Sequence, residues 1–324
     1  SGAGRGSEEK RGSGLSLTGS AVNDFYGADR VGDNLYANSL RVRDVRSGRL
    51  LWHFQGVHHD ILDRDFPSPP VLLTVRHGGR LVDAVAQPTK QGFLFVLDRL
   101  SGKPLFPVTE TPVPRSNVPG EVSSPTQPES RIPQPYARQH LDESGLTDRT
   151  PQAHEWALEQ FRTFHSEGPF APLRLNQQTV VMPGFDGGAE WGGSAADAKR
   201  GILYLNANDI AWTGGLSEAA SGGGLGAATY QNNCAACHGQ DRAGSPPAFP
   251  SLIEAARRLT PDQIADVIHT GRGRMPAFTS LDGDALKALL EFLVTGKDAD
   301  RKEATDVAAA PARYKFTGYR KFLD

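Results

Sequence analysis

The sequence is poor in sulfur: its 324 residues include two cysteines and two methionines. A zinc site needs four ligands, and no third cysteine exists to supply one. No apolar run approaches the ~20 residues that cross a bilayer, so we expect no transmembrane segment. The net charge is -2 without any basic run, which excludes nucleic acid as an expected partner. The N-terminal residues also lack the apolar core of a signal peptide.

Glycine and proline, in contrast, are plentiful, with 36 and 23 residues. This composition favours a turn-rich β fold over a helical bundle. The hydrophobic fraction of 38% is sufficient for a packed core. The length allows one large domain or two ordinary ones.

Both cysteines belong to a C-x-x-C-H motif at residues 234–238. This spacing is typical of a c-type haem attachment site. The thiols of Cys234 and Cys237, on one helical turn, can each add to one vinyl group of a haem, and His238 then lies under the iron as its proximal ligand. The alternative is a redox or zinc cysteine pair beside an unrelated histidine.

A sixth iron ligand is available downstream of this motif in Met275. A methionine thioether opposite a histidine gives the raised potential of an electron carrier. Pro276 favours an extended backbone at Met275, which suits a loop across a haem face. His269 is the alternative axial ligand.

Helix signals surround the motif. Gly226, Tyr230 and the first cysteine recur every four residues, which places them on one helix face. Residues 284–293 form an amphipathic pattern, and residues 260–261 predict a helix N-cap followed by proline at the first helical position. Residues 222–297 thus resemble a class I cytochrome c domain, in which the first and last helices cross at a glycine and aromatic contact.

The N-terminal half contains short strand patterns instead. We expect residues 1–17 to be irregular. Residues 40–52, 93–106 and 194–205 each predict a strand, a turn and a return strand, and such recurring units indicate the blades of a β-propeller. An ordinary antiparallel sandwich is the alternative. Residues 151–161 predict a helical excursion.

The unit Asp-x-x-(Thr/Ser)-Gly-x-x-x-Trp resembles the tryptophan-docking motif of quinoprotein dehydrogenases. Residues 52–65, 87–93 and 183–193 are similar to the glucose dehydrogenase branch, which uses pyrroloquinoline quinone (PQQ). This resemblance covers most of residues 18–215. It implies an eight-bladed propeller that carries PQQ and a divalent metal, usually Ca²⁺, on its axis.

The expected fold class is therefore mainly β, a partial eight-bladed quinoprotein β-propeller, plus an all-α cytochrome c domain. The expected organisation is an irregular segment at 1–17, blades at 18–215, a linker at 216–221, the cytochrome domain at 222–297 and a return segment toward the next blade at 298–324. Since only three or four blades are present, we expect a fragment of a longer protein.

The resemblance also implies roles for particular residues. Asp63 matches the catalytic aspartate, which also contacts Ca²⁺, and Lys90 matches the cation that binds the quinone oxygens. Glu190 and Trp191 match positions near PQQ, although Trp191 has the alternative role of a core or blade-docking residue. Asp60 is the rival for the base.

Other features of this region stay open. Ser20 stands where several relatives carry a metal-binding asparagine, and serine is a poorer ligand. His58 and His59 either shape the substrate pocket or only pack. Without the resemblance, the aspartates of residues 60–65 would be a solvated acidic turn and Lys90 a surface lysine.

The predicted function is a fragment of a periplasmic quinohaemoprotein dehydrogenase. It would oxidise a sugar or alcohol at PQQ and pass electrons to its covalent haem c, then to a cytochrome, quinone or oxidase. The periplasm is expected because haem is normally attached after export. The alternatives are a non-catalytic electron carrier on a degenerate propeller, and a peroxidase or sensor with an open iron position.

Overall fold

The structure, a computed structural model, describes residues 5–8, 11–21, 24–28, 30–197, 200–218, 224–246, 249–253, 255–273, 275–279, 281–297 and 314–322. The chain divides into two compact units. The β unit comprises Ser1–Gly215 and Arg320–Asp324, and the helical unit comprises Leu216–Tyr319. In the part of the chain that is described, no helix combines the length and apolarity needed to cross a membrane.

The elements follow one another along the chain in a mainly β order. They are β1 (Arg5–Glu8), β2 (Ser13–Leu17), β3 (Ser39–Asp44), β4 (Leu50–Gln55), β5 (Val71–His77), β6 (Arg80–Pro88), β7 (Leu94–Asp98), β8 (Val108–Pro112), β9 (Thr126–Ser130), α1 (Pro151–Phe161), β10 (Thr179–Val181), β11 (Ser194–Asp197), β12 (Ile202–Leu205), β13 (Trp212–Gly214), β14 (Leu216–Glu218), α2 (Leu225–Asn233), α3 (Ala235–His238), α4 (Pro261–Thr270), α5 (Gly283–Thr295), β15 (Tyr314–Phe316) and β16 (Arg320–Lys321). Short 3-10 helices occur at Glu143–Gly145 and Ala255–Arg257.

The strands of the β unit form separate antiparallel sheets. The sheet orders are β1-β2-β3-β4, β5-β6-β7 and β10-β13-β16, with two-stranded ribbons β8-β9 and β11-β12. The β5-β6-β7 sheet is a sequential meander that needs only short turns, because its neighbouring strands run in opposite directions. The β10-β13-β16 sheet instead joins strands that are not consecutive in the chain. The predicted strand–turn–strand unit at 194–205 is confirmed as the β11-β12 ribbon, and the predicted helix at 151–161 is confirmed as α1.

Two of the predicted repeats share the same turn chemistry. Asp44 Oδ1 accepts hydrogen bonds from the backbone N–H and the hydroxyl of Ser47, at 2.8 and 2.7 Å. Asp98 Oδ1 accepts the equivalent pair from Ser101, both at 2.8 Å. An aspartate side chain that accepts hydrogen bonds from its own turn in this way stabilises the reversal of the chain between two strands. The Asp-x-x-Ser-Gly pattern therefore marks these turns correctly.

A tryptophan joins the two repeats. The indole of Trp52 on β4 donates from Nε1 to the carbonyl of Arg99, at 3.1 Å. A Cβ atom at Gly102 would lie 2.6 Å from Cδ2 of the Trp52 ring, and Gly102 has φ +71°. Only glycine accommodates both the left-handed backbone and this close approach. The turn at residues 98–102 is therefore anchored to the β1-β2-β3-β4 sheet through Trp52.

The prediction that residues 1–17 are irregular is wrong over residues 5–8 and 13–17, and residues 1–4 and 9–10 lie outside the described residues. β1 pairs with β2, and β2 pairs with β3 from Ser13 to Leu17. Leu15 and Leu17 point into the core of the β unit, but serine and glycine at the intervening positions weaken the alternating pattern. Pairing with β3 supplies the order that the local composition does not indicate.

The predicted linker and return segment are described in part. Residues 216–218 form β14, which pairs with β15 in the helical unit. β16 pairs with β13 of the β unit. Residues 219–221, 298–313 and 323–324 lie outside the described residues.

The helical unit contains the predicted helices. α5 confirms the helix expected at 284–293. α4 begins after the N-cap Thr260, whose hydroxyl accepts from Gln263 N while the Gln263 side chain accepts from Thr260 N. This reciprocal capping box satisfies two donors that the first turn leaves unpaired. The core of the unit is formed by buried residues that include Tyr230, Ile264 and Leu289.

The predicted glycine and aromatic contact between α2 and α5 is confirmed. A Cβ atom at Gly226 would collide with the carbonyl oxygen of Ala288 and would lie 2.9 Å from Cβ of Phe292. The rings of Tyr230 and Phe292 are 5.6 Å apart between centroids. The absence of a side chain at Gly226 lets the two helix backbones approach closely.

Candidate functional site

Two loops of the β unit bring Asp63 and Lys90 together. Asp63 follows β4, and Lys90 lies between β6 and β7. Lys90 Nζ donates to Asp63 Oδ2 at 3.0 Å and lies 3.8 Å from Asp65 Oδ2. The side chains of Lys90 and Asp63 are 10% and 21% exposed, so the pair is shielded from water but open on one side. The two residues predicted to act on substrate and quinone are therefore neighbours.

Burial and neighbouring charges together shift the pKa of Asp63 upward, toward neutrality. Burial raises the pKa of Asp63 to about 7, although the charge of Lys90 lowers it, and the negative charge of Asp65 raises it further. Burial also lowers the pKa of Lys90, but attraction to Asp63 and Asp65 outweighs it and holds that pKa above its ordinary value. Lys90 therefore stays charged while Asp63 titrates near neutrality, the range that suits a general base.

Asp60, the rival for the base, has a different environment. Its Oδ2 accepts from the backbone N–H of Arg64 at 2.6 Å, from Asn38 Nδ2 at 2.8 Å, and from the hydroxyl of Ser20. Its Oδ1 accepts from the N–H of Leu62 at 2.9 Å. With 3% of its surface exposed and both oxygens engaged, Asp60 organises the turn around residues 60–64.

The backbone around this turn adopts a conformation that ordinary residues avoid. Asn38, His59 and Asp63 have φ values of +44°, +43° and +54°. Asn34 and Tyr36 share this left-handed region. Each such residue costs about 1–3 kcal/mol, and they occur most often at functional sites. Asparagine tolerates this region, so Asn34 and Asn38 carry a weak signal, but nothing in the sequence marks His59 or Asp63.

A glycine-rich loop, residues 183–193, packs directly on Lys90. The N–H of Gly188 donates to the carbonyl of Lys90 at 2.6 Å. A Cβ atom at Gly187, which has φ +81°, would lie 2.8 Å from Cα of Lys90. No side chain fits between this loop and the lysine. Two of the segments that carried the resemblance are therefore in contact.

Glu190 and Trp191 follow in the same loop. The negative charge of Glu190 raises the pKa of Lys90, and burial raises the pKa of Glu190 itself. Trp191 is 79% exposed, so its alternative assignment as a core residue is wrong. A large exposed aromatic ring offers a flat surface for a planar ligand.

The remaining predicted residues serve local structure. Ser20 donates its backbone N–H to Asp65 Oδ1 and its hydroxyl to Asp60. His58 Nε2 lies 3.1 Å from Glu110 Oε1, and His59 Nδ1 lies 2.7 Å from the carbonyl of Gly32. Neither histidine has a contact in the structure with the Asp63 carboxylate.

The donors near Asp63 do not form a complete calcium site by themselves. Ca²⁺ takes six to eight oxygen ligands, but the oxygens of Asp60 already accept hydrogen bonds. Throughout the described ranges, no group of three or more His, Cys, Asp or Glu residues is arranged to hold a metal ion. Burial and the nearby charges of Asp60 and Asp65 raise the pKa of Asp24, so this carboxyl belongs to the same acidic group as Asp63 and Asp65.

Cys234 and Cys237 lie on one turn of the helical unit. The N–H groups of Cys237 and His238 donate to the carbonyl of Cys234, at 3.2 and 2.9 Å. Both thiols are free, and burial raises the pKa of Cys234 to about 12. The His238 ring is buried, and its Nδ1 lies 2.8 Å from the carbonyl of Pro250. A histidine that donates from Nδ1 in this way presents Nε2 to a metal, so these residues fit a haem.

Met275 lies in a tight turn beside the helical core. Its N–H and carbonyl pair with the backbone of Arg272 at 3.0 and 3.1 Å, and its side chain packs against the buried core of the unit. His269 Nε2 lies 2.8 Å from the carbonyl of Leu281. Nε2 of His269 would have to give up this hydrogen bond in order to bind iron. The Met275 thioether makes no such hydrogen bond to any described residue, so it is the more available iron ligand.

Sequence reasoning missed Arg64. Its side chain is fully buried, and burial lowers its pKa to about 10, which leaves it charged at neutral pH. A charged residue between two aspartates predicts a solvated turn rather than a core position. No pattern in the sequence marks it.

The comparisons with known proteins agree on one family. The family model described as PQQ, glucose/ethanol/alcohol dehydrogenase, β-propeller domain, matches residues 10–263. The quinoprotein glucose dehydrogenase of Gluconobacter oxydans (strain 621H) is 39% identical over 185 residues, which are 56% of this chain and 23% of the relative. The glycerol dehydrogenase large subunit of the same organism is 36% identical over 194 residues, 59% of this chain and 26% of the relative.

Further relatives cover a similar share. The quinoprotein glucose dehydrogenase of Escherichia coli (strain K12) is 35% identical over 193 residues, 56% of this chain and 23% of the relative. The solved quinohemoprotein alcohol dehydrogenase from Comamonas testosteroni is 19% identical with a TM-score of 0.42, over 67% of this chain and 27% of that chain. The chain spans about a quarter of the length of the curated relatives it matches.

Proposed function

Because this chain belongs to the glucose/ethanol/alcohol dehydrogenase β-propeller family, we propose that it is part of a PQQ-dependent dehydrogenase that oxidises a sugar or alcohol and passes the electrons to a covalently bound haem c. The observation that carries the dehydrogenase half is the shielded contact between Asp63 and Lys90 at 3.0 Å. It places a base and a fixed cation side by side, as the oxidation of a hydroxyl requires.

Asp63 is the general base in this proposal. When bound, PQQ supplies the two-electron acceptor for the reaction. The Asp63 carboxylate takes the proton from the substrate hydroxyl, and its pKa of about 7 matches this task. Asp60 is unsuited to the same role, because its oxygens hold the backbone of residues 62 and 64.

In this proposal Lys90 would bind and polarise the quinone oxygens. Its ammonium is already oriented by Asp63 and by the loop of Gly187 and Gly188, so little reorganisation is needed as negative charge develops. Glu190 lies near enough for its charge to act on Lys90, and the exposed Trp191 ring would suit the face of a planar cofactor. For a family cation such as Ca²⁺, Asp63 and Asp65 would contribute carboxylate oxygens, and further ligands would be needed to complete the shell.

The helical unit is the electron-carrying half in this proposal. Cys234 and Cys237 would form the thioether links to haem c, and His238 and Met275 would bind the iron from its two sides. The contact of His238 Nδ1 with Pro250 supports the assignment of His238, because it orients Nε2. Covalent haem of this kind implies a periplasmic protein and an acceptor downstream, which is a cytochrome, quinone or oxidase.

One observation favours a second candidate, a non-catalytic electron carrier on a degenerate propeller. Ser20 stands at a position where the resemblance implies a metal-binding asparagine. Its backbone and hydroxyl are both committed to aspartates. If that arrangement leaves no room for the family cation, only the haem half would work.

The substitution Asp63→Asn in the full-length protein distinguishes the two candidates. With PQQ and Ca²⁺ added, we expect substrate-dependent reduction of the haem to slow by about a hundredfold or more, while the haem spectrum is unchanged. Asp83→Asn is the matched control. Asp83 forms a separate ion pair with Arg11, at 2.6 Å. If the wild type shows no substrate-dependent haem reduction under the same conditions, the carrier is favoured, whereas unaltered reduction in Asp63→Asn would overturn the assignment of Asp63 as the base.

A further inference from the structure

Arg64 is buried completely, yet its guanidinium binds no carboxylate directly. Nη1 donates to the carbonyls of Pro183 and Gly184 at 2.7 and 3.2 Å, and Nη2 donates to the carbonyl of Pro169 at 3.0 Å. All three acceptors are more than one hundred residues away along the chain, at separations of 105 to 120. A planar fork with fixed donor directions can join several backbone segments at once, which a lysine cannot do.

The backbone of Arg64 is fixed as firmly as its side chain. Its N–H donates to Asp60 Oδ2 at 2.6 Å, and its carbonyl accepts from Asn38 Nδ2 at 3.0 Å. Asp63, immediately before it, has the left-handed φ of +54°. A residue in this conformation stays there only when its surroundings over-determine it. Arg64 supplies that constraint on one side of Asp63.

The guanidinium of Arg64 is connected to Lys90 through hydrogen bonds of the glycine-rich loop. The carbonyl of Gly184 accepts from Arg64 and also from the N–H of Gly187, at 2.8 Å. The next residue, Gly188, donates to the carbonyl of Lys90. The contacts thus form a closed ring from Asp63 through Arg64 and the glycine-rich loop to Lys90, and the 3.0 Å ion pair closes it.

We propose that Arg64 is a positioning residue for the candidate active site: it ties the Asp63 turn to the glycine-rich loop that packs on Lys90, and so sets the distance between Asp63 and Lys90. This inference rests on the proposed function, since it assigns Asp63 and Lys90 their roles. Arg64 itself touches neither side chain's reacting atoms. Its contribution is to the geometry in which the base and the cation are held.

Two substitutions in the full-length protein test this role. Arg64→Met keeps a long, buried side chain and removes the fork, and Arg64→Lys keeps the charge but can reach at most one of the three carbonyls. Since small displacements of catalytic groups reduce turnover strongly, we expect kcat to fall by about tenfold or more in both. KM should stay within about twofold, because substrate contacts are intact.

A second readout follows the ring without any bound cofactor. Hydrogen exchange of the Gly188 N–H should accelerate by about tenfold or more in both variants, since the loop loses its anchor. Exchange in the β6-β7 ladder serves as the internal reference. Arg99→Met is the matched control, because Arg99 also donates to backbone carbonyls, those of Leu73 and Ala84, but outside the ring.

Several results would overturn the positioning role. One is a folded Arg64→Met protein with unchanged kcat and unchanged exchange at Gly188. Another is full activity in Arg64→Lys, which would assign the effect to charge instead of geometry. A third is an equal loss of kcat in Arg99→Met, which would make the effect one of general stability.

Two further variants keep the test decisive. If neither Arg64 variant folds, Gly187→Ala disturbs the same ring from the lysine side and should lower kcat with little change in KM. Unchanged kcat there overturns the proposal. Asp63→Asn separates this inference from the proposed function: if it retains turnover, the base assignment fails, whereas the exchange at Gly188 still reports on Arg64.

Discussion

In the helical unit, Cys234, Cys237 and His238 share one turn of chain, whereas in the β unit Asp63 and Lys90 come from loops 27 residues apart. A third loop, around residues 187–188, holds the lysine. The first arrangement needs only helical geometry to bring its groups together. The second needs three loops to be packed correctly, and it contains strained backbone that the first site does not use.

This difference has a consequence for tolerance to mutation. A site built on one turn is disrupted mainly by changes to its own residues. A site built from distant loops is also sensitive to residues that touch no ligand, such as Arg64 or Gly187. The predictions below probe the two sites for this contrast.

The largest effect is expected in the helical unit. Replacing both cysteines, by Cys234→Ser together with Cys237→Ser, removes both thioether positions, so the haem should be lost or become extractable by acid acetone. The measurement is haem staining of the exported, full-length protein after denaturing electrophoresis. Ser245→Ala, outside the motif, is the control and should stain normally. Normal covalent haem in the double variant would refute the attachment site.

The second prediction concerns the iron ligand. Met275→Ala should lower the haem midpoint potential by on the order of 0.1 V, because a thioether opposite histidine raises it. His269→Asn should leave the potential unchanged, since the ring of His269 contacts the Leu281 carbonyl. Spectroelectrochemistry measures both. The reverse pattern, with His269→Asn shifting the potential, would make His269 the ligand.

The third prediction compares equivalent glycines in two turns of the β unit. Gly48 and Gly102 have φ values of +70° and +71°, but Gly48 has open space around it while Gly102 faces the Trp52 ring. Alanine at either position adds left-handed strain, and only Gly102→Ala also pushes on the tryptophan. We expect Gly102→Ala to destabilise the protein by about 2 kcal/mol more than Gly48→Ala.

Urea unfolding monitored by tryptophan fluorescence measures this difference. Trp52→Phe combined with Gly102→Ala should recover part of the loss, because the smaller ring leaves room for a Cβ atom. Equal midpoints for the two single alanine variants would show that the tryptophan contact contributes nothing beyond backbone strain.

The smallest effect is a pH dependence at Asp63. Its pKa is raised from 3.8 to about 7 in the folded protein, so folding is favoured where the carboxyl is protonated. This contribution to the free energy of unfolding is present below pH ~4 and is lost as the pH rises through ~7. Without added metal or PQQ, we expect the wild type to lose about 1–2 kcal/mol over this interval relative to Asp63→Asn.

Urea unfolding of both proteins at several pH values between ~4 and ~8 tests the sign. Other buried carboxyls such as Glu121 titrate in both proteins and cancel in the difference. Parallel stability curves for the two proteins would mean that Asp63 is not shifted upward.

Much of the local structure was predictable from sequence. The capping pattern at Thr260, the amphipathic run of α5 and the Asp-x-x-Ser-Gly turns at Asp44 and Asp98 all appear as expected. Each is determined by residues within one turn of helix or one hairpin. The pair of Asp63 and Lys90 was also anticipated, through the resemblance of its flanking segments to a family rather than through any local pattern.

Other features escaped sequence reasoning for a physical reason. β2 is ordered by pairing with β3, β1 is ordered by pairing with β2, and their serines and glycines carry no strand signal. The distinction between Asp60 and Asp63 depends on which carboxylate is engaged by backbone N–H groups, and that depends on packing.

The sequence alone determined the C-x-x-C-H turn, the helices around it and the repeated hairpin turns, because their interactions span only a few neighbouring residues. Tertiary structure decided how far Asp63 lies from Lys90, that Arg64 is buried and that Trp191 is exposed. These properties depend on contacts between residues up to 120 positions apart. Local patterns carry no information about such contacts, since they arise only when loops from different sheets pack together.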